Sequence, residues 1–129
     1  MVTKQRFDQG LTLEQYVARM TVNRERFAQA LDRVVIGPDD TRLLARLGSP
    51  RKVLVITEDW CGTSLAYVPV VARLAAANPA LEMRIFLRDA NADLMDLYLK
   101  HGRHRSIPVV AFFDADMNEL ARFIEQRPA

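Results

Sequence analysis

The pattern of apolar and polar positions changes rhythm once along the chain, near Gly48-Ser49-Pro50. Upstream the period is helical. Leu13, Tyr16, Val17 and Met20 recur at helical spacing, and Phe27, Leu31 and Val34 continue the stripe. Thr12 with Gln15 predicts a capping box, in which each side chain satisfies a backbone N–H left free at the helix start. Thr21-Val22-Asn23 is expected to divide the stripe into two helices and Gly37-Pro38 to end it. Asp39 or Asp40 is then expected to cap a short helix through Leu47.

Downstream, residues 52–57 (KVLVIT) form a continuous β-branched run, the signature of a strand buried on both faces. Residues 62–77 return to a helical pattern that carries Pro69, expected to kink it, and Asn78-Pro79 closes that helix. Residues 81–87 predict a second strand and 91–99 a helix ending at Gly102. Residues 108–113 predict a third strand, 114–118 a tight turn and 119–124 a fourth strand. The strand–helix–strand unit requires parallel pairing, and the last two strands should form an antiparallel hairpin. The expectation is one α/β domain with a four-stranded mixed sheet flanked by helices. Residues 1–49 form a helical extension packed on a core of 50–129.

Composition narrows the function classes. With 129 residues, half of them apolar, the chain can build one hydrophobic core but not two ordinary domains. A net charge of +2 from interspersed acidic and basic residues gives no nucleic-acid-binding face. No apolar stretch approaches the roughly 20 residues needed to cross a bilayer, and MVTKQRFDQG lacks the apolar run of a signal peptide. A single cysteine, Cys61, cannot staple the fold internally, which suits a reducing compartment. A soluble, cytoplasmic protein that binds neither membrane nor nucleic acid is expected.

Cys61 lies in TEDWCGTS, between the first strand and the following helix. Trp60-Cys61-Gly62 opens that helix, Pro69 follows the cysteine by eight residues, and Ser106-Ile107-Pro108 precedes the final hairpin. In that order and spacing, residues 52–124 resemble the thioredoxin-like family. The resemblance implies a thioredoxin-like fold and a cis bond before Pro108. It also implies a substrate cleft formed by Trp60, Gly62, Thr63, Ile107 and Pro108 around Cys61. The chain departs from the family at several points. Cys61-Gly62-Thr63-Ser64 replaces the Cys-x-x-Cys motif, and Val55 stands where thioredoxins carry a buried Asp serving the second thiol. The usual first strand is replaced by helices, and no C-terminal helix follows residue 124.

These departures set the expected chemistry. A thiolate is the nucleophile of disulfide exchange, and a helix start favours an anion. Ser64, one turn on, is placed to donate its hydroxyl to that thiolate. Glu58 and Asp59 oppose it, weakened by solvent screening if exposed. One thiol can form a mixed disulfide but cannot resolve it, so a low-molecular-weight thiol is the expected co-substrate. The Cys-Gly-x-Ser pattern is similar to that of monothiol glutaredoxins, which implies monothiol exchange or a shared iron–sulfur cluster. The competing reading is a non-catalytic module that binds a peptide or senses oxidation. Neither a cofactor nor a metal is expected, because nothing fixes His101 and His104 beside Cys61. The basic run of Lys100, His101, Arg103, His104 and Arg105 reads equally as an attractor of carboxylates or as a solvated helix end. Partners are therefore small thiols or protein disulfides. The sheet is expected to need another cover for the missing terminal helix: the N-terminal helices, a second copy in a homodimer, or the terminal helix of a longer chain.

Overall fold

A computed structural model describes residues 1–46 and 51–125. The expected boundary at Gly48–Pro50 and the end of the short helix at Leu47 lie outside these residues. Helices α1 (Lys4–Asp8), α2 (Leu13–Arg19), α3 (Arg24–Arg33) and α4 (Pro38–Ala45) precede strand β1 (Arg51–Thr57). Then follow α5 (Gly62–Ala76), β2 (Leu81–Leu87), α6 (Ala92–Met95), a 3-10 turn (Asp96–Tyr98), β3 (Val109–Asp114) and β4 (Glu119–Ile124).

The sheet order is β2-β1-β3-β4, with β1 and β2 parallel and the other pairs antiparallel. This is the expected four-stranded mixed sheet of a thioredoxin-like fold. Strand β1 is central, and Val53, Leu54, Val55 and Ile56 are all buried, which explains why its sequence does not alternate. The parallel register sets Thr57 beside Leu87, so the segments leaving β1 and β2 emerge together. The Ile107–Pro108 peptide bond is cis.

The two sheet faces have separate cores. On one face Leu54, Ile56, Phe86, Val109, Ala111 and Phe113 pack beneath Val2, Phe7, Leu94, Met95 and Tyr98. On the other, Val53, Val55, Ile85 and Val110 pack against Val68 of α5 and against Tyr16, Met20 and Phe27 of the N-terminal helices. The extension thus covers part of this face, and Arg73 Nε ties α5 to α3 by donating to Leu31 O at 2.8 Å. Farther along the same face an apolar groove of about 440 Å³ stays open, lined by Leu43, Val71, Leu74, Phe112 and Leu120 among others.

Several local expectations are refined. The Thr12–Gln15 capping box forms, with Gln15 N donating to Thr12 Oγ1 at 3.2 Å and Thr12 N to Gln15 Oε1 at 2.9 Å. Helix α4 instead begins on Pro38, a residue with no N–H to satisfy, and Asp40 reaches back to accept from Gly37 N at 3.0 Å. The helix expected over 91–99 is a single α turn followed by a 3-10 turn. Helix α1 has no sequence periodicity because it is too short to show one, yet it plants fully buried Phe7 in the core. It leads to Gly10, where a Cβ would stand 2.7 Å from Arg84 Cβ and from the Phe86 ring. That close approach lets Leu11 form a two-bond bridge to Ile85 on the outer edge of β2, at 2.8 and 2.7 Å.

Candidate functional site

Cys61 is the N-cap of α5, a 15-residue helix, in extended backbone geometry and with no side-chain capping bond. The first N–H groups of a helix have no intrahelical partner and carry its positive dipole end, so they favour an anion beside them. Cys61 Sγ lies 3.9 Å from the Ile107 carbonyl, which brings the helix start against the Pro108 segment as the cleft requires. Cys61 is partly exposed, Trp60 is 51% exposed, and a Cβ at Gly62 would meet nothing within 4 Å. The open side of the thiol is therefore formed by Trp60, Cys61 and Gly62. Thr63 and Ile107 are buried, which confines Ile107 to a backbone role and removes the Thr63 side chain from the expected cleft surface.

Ser64 is 4% exposed and its hydroxyl has no hydrogen-bond partner. The expected donation to Cys61 is not made in this structure. A neutral thiol is a weak acceptor, so nothing compels the hydroxyl to turn toward it. The geometry leaves a buried donor one helical turn from the sulfur, without a competing acceptor. Val55 is fully buried among apolar residues, so its position supplies no proton-transfer group.

The carboxylates before the cysteine behave differently from expectation. Glu58 is buried, not exposed, and Oε2 accepts from Asp89 N at 2.9 Å. Asp59 Oδ2 collects Thr21 N at 2.9 Å, Val22 N at 3.2 Å and Thr21 Oγ1 at 3.4 Å. Asn23 Nδ2 donates to the Asp59 carbonyl at 2.9 Å. Both acids anchor the loop that presents Cys61.

Arg88, which no sequence motif marks, lies across the same loop. Its guanidinium stacks 5.0 Å from the Trp60 ring centroid, and Nη1 donates to Arg105 O at 3.2 Å. Arg88 N also donates to Thr57 O at 3.1 Å. The signal was available in the parallel pairing of β1 and β2, which sets the residue after β2 beside the residue after β1. Tyr16, part of an apolar stripe in the sequence, also carries a polar group to the site. Its hydroxyl meets the Thr57 side chain, and burial pushes its pKa up to about 12, so it stays neutral beside the site.

The basic run forms no helix end. Lys100 and His104 exchange backbone bonds at 2.8 and 3.0 Å around a tight loop, with His101 and Gly102 in the left-handed region. Arg105 pairs with Asp96 at 3.6 Å. Among the described residues, no group of three His, Cys, Asp or Glu side chains is placed to hold a metal ion. No described helix is long and apolar enough to cross a membrane.

Comparison with known proteins places this geometry in context. Residues 10–129 match the sequence profile of a family described as Thioredoxin. A protein of unknown function from Pseudomonas aeruginosa superposes with a TM-score of 0.82 at 22% identity, covering 99% of this chain and 79% of that one. An HIV epitope-scaffold superposes with a TM-score of 0.81 at 21% identity, covering 95% of this chain and 77% of the scaffold. No match is found among curated proteins.

Proposed function

The chain belongs to the thioredoxin family, and on that premise we propose that it exchanges thiols and disulfides through Cys61 alone. The observation that carries this reading is the sulfur at the N-cap of α5, 3.9 Å from the Ile107 carbonyl, with Ser64 Oγ unpartnered one turn on. Cys61 as thiolate attacks one sulfur of a substrate disulfide. The substrate S–S bond breaks, a mixed disulfide forms on Cys61, and the departing thiolate takes a proton from water. In the charged state Ser64 acquires an acceptor strong enough to orient its hydroxyl. The Ser64 oxygen is no sulfur nucleophile, so a low-molecular-weight thiol attacks the mixed disulfide and returns Cys61 as thiolate. Trp60 supplies an apolar contact to the bound group, and the Ile107 backbone is its polar neighbour across the cleft. Such a cycle needs a reducing compartment such as the cytoplasm.

The test is direct. The reduced protein is incubated with an oxidised small thiol, its mass followed, and the reduced thiol then added. One adduct per chain, lost on addition of thiol and absent in Cys61→Ser, is the expected result. Absence of an adduct under native conditions would overturn the exchange reading. It would leave the second reading, a binding module, which the half-exposed Trp60 beside an open helix start favours.

A further inference from the structure

We propose that Asp59 is a positioning residue for Cys61, and that the linker between α2 and α3 is thereby part of the thiol site. This rests on the reading of Cys61 as a nucleophile. The segment from Thr57 to Cys61 is a short turn closed by Cys61 N donating to Glu58 O at 3.3 Å. Its core side is held by Arg88 N on Thr57 O and Asp89 N on Glu58 Oε2. The N-terminal extension adds further holds, through Tyr16 at Thr57 and the linker at Asp59.

The Asp59 contacts are specific. One carboxylate oxygen takes two consecutive backbone N–H groups and a hydroxyl, while the residue's own carbonyl takes the Asn23 amide. Asn23 adopts φ 63°, a left-handed conformation that Asn tolerates better than most residues. A generic surface acid would not need three donors from one linker on a single oxygen. Two residues before the sulfur, a negative charge also opposes a thiolate. The carboxylate's presence is better explained by the geometry it enforces than by its charge. Releasing it lets Trp60 and Cys61 drift from the helix start that stabilises the anion.

Three variants separate geometry from charge, each read by iodoacetamide alkylation of Cys61 and by exchange with 2-hydroxyethyl disulfide, both at pH 7. Asp59→Asn keeps an acceptor oxygen and drops the charge, and should react at least as fast as the parent. Asp59→Ala drops both and should react about tenfold more slowly, the scale of one lost charge-assisted hydrogen bond. Asn23→Gly keeps the left-handed backbone, deletes only the amide and leaves every charge in place. It should slow both reactions about threefold, the scale of a neutral hydrogen bond. Equal rates for Asp59→Asn and Asp59→Ala, or parental rates for Asn23→Gly, overturn the proposal. If Asp59→Ala melts below the assay temperature, Asn23→Gly decides alone by the same criterion. Alkylation of the parent without exchange would sink the proposed function and still read the positioning role.

Discussion

The two faces of the sheet are closed by different means. The face bearing Leu54, Ile56 and Phe86 is covered by Phe7 of a five-residue helix and by Leu94, Met95 and Tyr98, which lie between strands of the core itself. The face bearing Val53, Val55 and Ile85 has the long helix α5 from the core and takes Tyr16, Met20 and Phe27 from later parts of the same N-terminal extension that supplies Phe7. It remains open along the groove beside Phe112 and Leu120. Cys61 sits on the seam, because it packs against the first cluster while its helix covers the second. The extension therefore contributes to both cores and, through its bonds to Asp59, holds the loop that carries Cys61.

The largest effect that tests this comparison is a cavity on each side. Phe7→Ala and Phe27→Ala both remove a fully or nearly fully buried ring. Each should cost about 3–5 kcal/mol in denaturant unfolding. If the extension were only an appendage, both changes would cost about 1 kcal/mol or less, as surface changes do; a full cost for Phe7→Ala alone would leave α1 as the only part of the extension that is integral to the core.

Much of this arrangement is legible in the sequence where the signal is local. The KVLVIT run fixes the central strand, Thr12 with Gln15 fixes a helix start, and the switch from helical to strand period marks the α/β core. Cys61 at the helix start follows from the same reasoning. What escaped depends on contacts between distant segments. Glu58 and Asp59 look like exposed charges because nothing in TEDWCGTS tells that Asp89 N and the Thr21–Asn23 linker lie against them. Ser64 lies in the first turn of α5, but its hydroxyl has no partner, and where a hydroxyl turns depends on packing that a sequence does not encode. Phe7 escaped because a helix of five residues shows no repeat.

A smaller effect sharpens the comparison at high pH. Each face buries a tyrosine, Tyr98 on the first and Tyr16 on the second. Burial disfavours the phenolate of both, and Glu119 pushes the Tyr98 pKa up further. Tyr16 rises from 10.0 to about 12. The unfolded chain therefore loses its phenolic protons first. The stability these residues contribute is complete below about pH 10 and is lost as pH climbs through the folded values. Melting temperatures should fall above about pH 10, and Tyr16→Phe should remove part of that fall. If Tyr16→Phe keeps the full alkaline slope while Tyr98→Phe abolishes it, the second face is looser around Tyr16 than its packing indicates.

The smallest effect on stability comes at the seam, and there stability and reactivity should part. Ser64 Oγ is buried without a partner, so the folded state gains nothing from it while the thiol is neutral. Ser64→Ala removes the desolvated hydroxyl and leaves a shape the helix accepts. Unfolding should be unchanged or made harder by up to about 1 kcal/mol. The same change deletes the side-chain donor proposed for the charged sulfur, so exchange with a small disulfide should slow by about threefold to tenfold. A core serine would show the first result without the second, and unchanged exchange would remove Ser64 from the site. Ser64→Cys asks the converse question. It restores a sulfur that can attack a mixed disulfide on Cys61, yet buried Val55 still offers no group to take its proton. Release without added thiol is therefore expected but slow, and should quicken as pH rises and the new thiol ionises. Release as fast at pH 6 as at pH 9 would show that some other residue moves the proton.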